Sequence, residues 1–225
     1  MGDALPYVDL GTGRTVKKIS RNCAILDNDS LKCWGDNYWG QLGLGLANNV
    51  HMGDQPGEMG DNLPAINLGT WDHDNNSATP PVNHTAKDVN KNGDNTCVIL
   101  DNDQLKCWGK NQDGQLGRGG ANFGYGNSPT HMGNNLAYVN LGTGRTAKKV
   151  FTGNEYIFVI RDDDSLVGMG RNTFGSLGLG HYNNIGDQAG EMGNALQAVD
   201  LGTGLHAVSM GWVHFYRDYG SACAV

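Results

Sequence analysis

Residues 23–45 read CAILDNDSLKCWGDNYWGQLGLG, and residues 97–119 read CVILDNDQLKCWGKNQDGQLGRG. A third, worn copy, FVIRDDDSLVGMGRNTFGSLGLG, fills residues 158–180. An internal repeat of this period constrains the fold before any other feature. One unit cannot bury both faces of a small sheet alone, and stacked neighbours supply the rest.

Each copy carries the pattern of a β-hairpin that ends in a glycine-rich turn. Ala24, Ile25 and Leu26 are a short apolar run. Asp27-Asn28-Asp29-Ser30 follows with the chemistry of a tight turn, because Asx side chains bond their own backbone and tolerate left-handed conformations. Leu31-Lys32-Cys33-Trp34 then resumes strand alternation. Gly35, Gly40, Gly43 and Gly45 punctuate the exit.

The cysteines fit that hairpin. Folding the chain back at Asn28 sets Cys23 opposite Cys33, and the same fold sets Cys97 opposite Cys107. Directly opposed residues on antiparallel strands lie within reach of a disulfide. The other reading is two pairs of reduced, buried thiols. Both cysteines are lost together in the third copy, where Phe158 and Gly168 stand instead. That joint loss favours two disulfides. Cys223 has no such partner and is expected to be free or intermolecular.

A second element precedes each hairpin, starting at Met1, Met59, Met132 and Met192; the second copy reads MGDNLPAINLGT. Each copy is expected to form a short strand ending in a glycine turn. The resulting units are 1–58, 59–131, 132–191 and a partial fourth, 192–225. Unit 2 is lengthened by an insertion at Trp71–Thr85, WDHDNNSATPPVNHT. A long polar loop of this kind is usually functional or disordered. Met1 occupies an internal repeat position and the last unit lacks its glycine loop, so this reading expects the chain to begin and end inside a longer array.

Composition narrows the function classes. Lys+Arg number 16 against 23 Asp+Glu, a net charge of −7, which argues against a nucleic-acid surface. The chain holds no apolar run long enough for a transmembrane helix and shows no signal peptide. The turn Gly11-Thr12-Gly13-Arg14-Thr15 and its copy at 142–146 lack the spacing of a phosphate loop. The acidic turns at Asp27, Asp101 and Asp162 lack the ligand spacing of a calcium loop. The seven histidines, His51, His73, His84, His131, His181, His206 and His214, show no zinc spacing. No G-x-S-x-G elbow is present. No metal, cofactor or catalytic set is assigned.

The tandem pattern C-x-I-L-D-N-D-x-L-K-C-W-G-x-N…G-Q-L-G resembles the RCC1 (regulator of chromosome condensation) repeat, over nearly the whole chain. The resemblance implies an all-β fold, the RCC1-like β-propeller, whose closed ring has seven four-stranded blades. These 225 residues would supply about three and a half of them, so further sequence, a second copy or a partner must complete the ring. The disulfide-bearing form, with its GDQPGEMG (53–60) and GDQAGEMG (186–193) linkers, resembles extracytoplasmic members of the family and implies an oxidising compartment.

These readings point to a non-enzymatic scaffold that binds protein partners, a subunit of a homodimer or larger assembly. Other family members imply two alternatives, a nucleotide-exchange regulator of a small GTPase and a secreted enzyme inhibitor. Repeat positions that vary are usually loop positions. Trp39 and Phe174 occupy such positions and Trp71 opens the insertion; all three are the candidate contact residues, as exposed aromatics commonly anchor interfaces. Trp34 and Trp108 are expected between blades.

Overall fold

The structure is a computed structural model, and it describes residues 6–72, 80–213 and 221–224. Three blades follow one another. Blade 1 holds β1 (Val16–Ser20), β2 (Cys23–Leu26) and β3 (Leu31–Cys33). After the two-residue strands β4 (Thr70–Trp71) and β5 (Val82–Asn83), blade 2 holds β6 (Ala86–Asn92), β7 (Asn95–Leu100), β8 (Leu105–Asn111) and β9 (Asn122–Tyr125). Blade 3 holds β10 (Ala147–Thr152), β11 (Tyr156–Arg161) and β12 (Leu166–Gly170). The partial fourth unit contributes β13 (Met210–Val213) paired with β14 (Ser221–Ala224), where Cys223 stands opposite Gly211. Each blade is an antiparallel meander in chain order.

The hairpin read from the sequence is β2–β3, β7–β8 and β11–β12. Cys23 faces Cys33 and Cys97 faces Cys107, with Cα atoms 4.1 Å apart, and both pairs are disulfides. Phe158 faces Gly168 in blade 3. A Cβ on residue 168 would lie 2.8 Å from Phe158 Cε1, so the ring fills the space that a disulfide occupies in the other blades. The turns close as expected: Asp29, Asp103 and Asp164 take φ of 61, 63 and 64°.

The core runs between blades. Strand β6 lies across β1 and β2, and β10 lies across β6 and β7. Ile25, Leu31 and Leu42 of blade 1 share one cluster with Ala86, Val89, Val98 and Trp108 of blade 2. Ile99, Leu105 and Leu116 repeat the arrangement with Ala147, Val150, Val159 and Met169. Side chains tie the same seams: Ser20 Oγ accepts from Lys91 N at 2.9 Å, and Asn90 Oδ1 accepts from Thr152 N at 3.0 Å. Trp108 is fully buried there and donates Nε1–H to Gln41 O at 3.1 Å. Trp34, its counterpart, is only half-buried, because no blade precedes blade 1 among the described residues.

The opening element of each unit departs from the expected strand. It begins as a 3-10 turn (Gly60–Asn62, Gly133–Asn135, Gly193–Ala195) and continues as an extended segment. That segment belongs to the blade before it: Ile66, Val139 and Val199 each donate N–H to Leu31, Leu105 and Leu166 O at 2.8 Å. A buried cation clamps it there. Lys32 Nζ donates to Leu10 O and Gly60 O, both at 2.9 Å, and Lys106 Nζ donates to Leu68 O at 2.8 Å and Gly133 O at 2.9 Å. Blade 3 has Val167 at that position, and Arg161 Nη1 reaches the equivalent Leu141 O at 3.1 Å.

Two predictions follow from this architecture. Replacing Cys97 and Cys107 together by Ala should lower stability by about 2–4 kcal/mol in chemical denaturation, since a short covalent loop is removed from the unfolded chain. Burial pushes Lys106 from 10.5 down to about 8. The unfolded chain thus binds more protons in that window, and the lysine contributes stability that grows as the pH rises from about 8 to 10.5. Lys106→Met should cost about 1–3 kcal/mol near neutral pH by depriving Leu68 O of its lysine donor. Its deficit should widen over that window. A deficit that stays constant with pH would show that the buried ammonium titrates normally.

Candidate protein-binding face

The loop that leaves β3, β8 and β12 is built on one buried asparagine. Asn37, Asn111 and Asn172 are fully buried. Their Oδ1 atoms accept from Leu42, Leu116 and Leu177 N at 3.0, 3.0 and 2.9 Å. Their Nδ2 groups donate across the loop, Asn111 to Gly120 O at 2.8 Å and Asn172 to His181 O at 2.9 Å. Gln41 and Gln115 add a second clasp, accepting at Oε1 from Trp39 N (2.8 Å) and Asp113 N (3.0 Å). Gly114 lets the next linker close on the loop, since a Cβ there would meet Asp187 N at 2.2 Å. The backbone is fixed on both sides of two variable residues, and those residues face outward.

In blade 1 the variable pair is Tyr38-Trp39. The Trp39 ring packs against Tyr38 at 4.9 Å and Phe123 at 4.3 Å between centroids, and Lys110 Nζ lies 5.6 Å from its centroid. Tyr38 and Phe123 are exposed and Trp39 is half-buried, so the trio forms one packed aromatic surface. Phe123 comes from β9, the fourth strand, and its sequence distance from Trp39 concealed the pairing. Phe174 is exposed at the equivalent position two blades on.

Carboxylates crowd beside the trio. Burial pushes the Asp94 carboxyl up, and the neighbouring Asp36 and Glu155 charges add to the shift against Lys110 and Lys91. Burial, then Glu155, likewise raises Asp113. Glu155 is itself held by Arg171 Nη1 at 2.6 Å and Lys110 Nζ at 3.7 Å. The end of the blades that carries these loops combines an aromatic surface with a cluster of paired carboxylates and cations.

Trp71 lies apart from Trp39 and Phe174. It precedes β6, at the opposite end of the strands from the loops after β3 and β12. Its ring stacks on His84 at 5.7 Å with planes 2° apart. His84 Nδ1 lies 2.7 Å from Asp101 Oδ1 and Nε2 lies 2.6 Å from the Tyr138 hydroxyl. This resembles a catalytic relay, but the repeat explains it. Arg14 and Arg145 fill the same place in the other units and pair with Asp27 and Asp162 at 3.2 and 3.0 Å. The His84 side chain is wholly buried, with both nitrogens engaged. Residues 73–79 of the insertion lie outside the described residues, as do His73 and His214.

The remaining motifs are parts of turns. Thr12 and Thr143 N donate to Asp61 and Asn194 Oδ1 of the next unit at 2.9 and 2.8 Å, which fixes the glycine turns. Among the described residues no cluster of three His, Cys, Asp or Glu suits a metal ion. No described helix is long and apolar enough to cross a membrane.

Comparison with known proteins agrees with this architecture. Residues 88–115 match the family described as the regulator of chromosome condensation (RCC1) repeat. No curated protein matches the chain. Human WBSCR16 is similar in structure, with a TM-score of 0.55 at 16% identity over 89% of this chain and 44% of that one. A structure of Kap60 bound to yeast RCC1 (Prp20) gives 0.52 at 16% identity over 88% and 38%. Prp20p from Saccharomyces cerevisiae, studied for its binding to Gsp1p and histones, gives 0.52 at 16% over 88% and 39%. The chain thus spans about two fifths of these structures' length. Residues 88–115 thus match an RCC1 repeat, the neighbouring units repeat their hairpin in register, and the chain folds as an RCC1-like propeller segment.

Proposed function

We propose that this chain is a non-enzymatic, protein-binding scaffold, a subunit of a larger assembly that works in an oxidising compartment. One observation carries the reading: an asparagine-stapled loop holds Trp39 beside Tyr38 and Phe123 as an exposed aromatic surface. Rigid aromatic anchors ringed by polar groups are where binding energy concentrates. The charged groups beside the trio are of both signs, Lys110 on the Trp39 ring with Glu155 and Asp94 around that lysine, and they suit a partner segment with an apolar anchor and a mixed-charge flank. The overall charge of −7 favours a protein over a nucleic acid. The two disulfides support an oxidising home.

A second reading is a nucleotide-exchange regulator of a small GTPase. The fold likeness to yeast RCC1 favours it, and the disulfides weigh against it. Release of a fluorescent guanine nucleotide from a panel of small GTPases separates the two: stimulation establishes the regulator, and unchanged release leaves the scaffold reading.

The scaffold reading is tested by cross-linking the native protein to whatever copurifies at fixed stoichiometry and measuring that partner's affinity for variants. Trp39→Ala combined with Phe123→Ala should weaken binding at least tenfold, with the circular dichroism spectrum and unfolding midpoint retained. Equal affinity for variant and parent would contradict this face as the contact.

A further inference from the structure

Three linkers of one design join the units: GDQPGEMG at 53–60, GNSPTHMG at 126–133 and GDQAGEMG at 186–193. In the first and third a glutamate folds back on its own backbone. Glu58 Oε2 accepts from Gly53, Asp54 and Gln55 N at 2.7, 3.1 and 3.0 Å, and Glu191 Oε2 accepts from Gly186 and Gln188 N at 2.8 and 2.9 Å. Convergent amides of this kind form a nest for an oxyanion. The Gln55 amide, foremost among them, holds the Glu58 carboxyl below its ordinary pKa. The repeat thus builds a carboxylate site and fills it from within.

The second linker keeps the frame and lacks the filling. Gly126 has a φ of 102°, against 90 and 91° at Gly53 and Gly186. Its carbonyl accepts from Gly45 N at 3.1 Å, as the Gly186 carbonyl accepts from Gly119 N at 3.1 Å. The place of Glu58 and Glu191 is taken by His131, which ends the short turn Pro129–His131. The amides of Gly126 and Ser128 precede that turn and meet no acceptor among the described residues. His131 Nδ1 is buried and likewise without a partner. Asn127 Oδ1 is unpartnered too, but so is Asp187 Oδ1 at the same place in unit 3, so that feature belongs to the common frame.

Two further changes in unit 2 meet at the same point. Arg118 stands where the other units have Leu44 and Leu179, and Tyr125 stands where they have Met52 and Ile185. Leu44 with Met52, and Leu179 with Ile185, pack on apolar clusters. The Arg118 guanidinium instead lies 4.0 Å from the centroid of the Tyr125 ring, and the His131 ring lies 5.0 Å from that same centroid. Burial, then the Arg118 charge, holds the His131 imidazole below its ordinary pKa. One carboxylate is gone and one guanidinium is gained beside amides that have no acceptor. Arg118, Ser128 and His131 are half-buried, which leaves them open to a small solute.

We propose that the amides of Gly126 and Ser128, with His131 and Arg118, bind an external oxyanion, a carboxylate or phosphate group, in place of the glutamate that the other linkers carry. The planar guanidinium offers paired donors that match such a group.

Amide NMR shifts of the purified chain, followed as acetate or inorganic phosphate replaces chloride at constant ionic strength, test the proposal. Gly126 and Ser128 should shift saturably. Gly53, Gln55, Gly186 and Gln188, already occupied by glutamate, should not. The tighter of the two probes tells a carboxylate site from a phosphate site. Thr130→Gly combined with His131→Glu restores the sequence of the other linkers, where Gly57 and Gly190 take φ of 85 and 89°. That variant should fold and lose the shifts, because its own carboxylate takes the amides. Arg118→Leu, the residue of the other units, should fold and bind roughly tenfold more weakly. Shifts absent with both probes would overturn the proposal. So would shifts equal at all three linkers, or parent affinity retained in the Thr130 and His131 double variant.

Discussion

The packing of each blade's leading strand across the blade before it is the interaction on which this structure depends. A meander of three or four short strands has two apolar faces and little room between them. Val89 and Val150 complete their burial against residues of the preceding blade. Fully burying such a side chain is worth roughly 1.5–3 kcal/mol as an upper estimate. A few of these per seam match or exceed a short-loop disulfide, at about 3 kcal/mol. The disulfides pin the hairpin within a blade. The seams determine whether the blade persists.

The repeat keeps physical roles more faithfully than residues. In blades 1 and 2 a buried lysine on the third strand bridges a carbonyl of its own unit's opening segment and one of the next unit's, and in blade 3 an arginine on the second strand reaches the first of these. The disulfide gives way to a phenylalanine ring over a glycine. Arg14 and Arg145 give way to His84, which meets the same turn aspartate and frees room for the Trp71 ring. An apparent catalytic relay is thus a repeat contact rebuilt around an insertion. The aromatic surface, by contrast, has no repeated role, since its place holds Trp39, Asp113 and Phe174 in turn.

Local features were legible in the sequence. Turn chemistry at Asp27–Ser30 sets the hairpin register, and the register sets the cysteine pairs. Trp39 was found because the fixed residues around it are repeated while it is not. What depends on distant chain was hidden. Phe123 joins Trp39 only through β9. The opening segments lack strand pairing because their partners lie in the preceding blade, where they meet single carbonyls and a lysine. Lys106 resembled any strand lysine, and only its burial beside two carbonyls gives it a structural role. Asn37 and its equivalents recur in the repeat, but only their burial and hydrogen bonds show that they organise the loops after β3, β8 and β12.

The most direct test is hydrogen exchange followed by mass spectrometry on this chain. If preceding blades order leading strands, the amides of Ala86–Asn92 and Ala147–Thr152 exchange slowly. Those of Val16–Ser20, with no described blade before them, should exchange much faster. Equal protection of all three strands would contradict the account, because the leading strand of blade 1 would then be ordered without a neighbour.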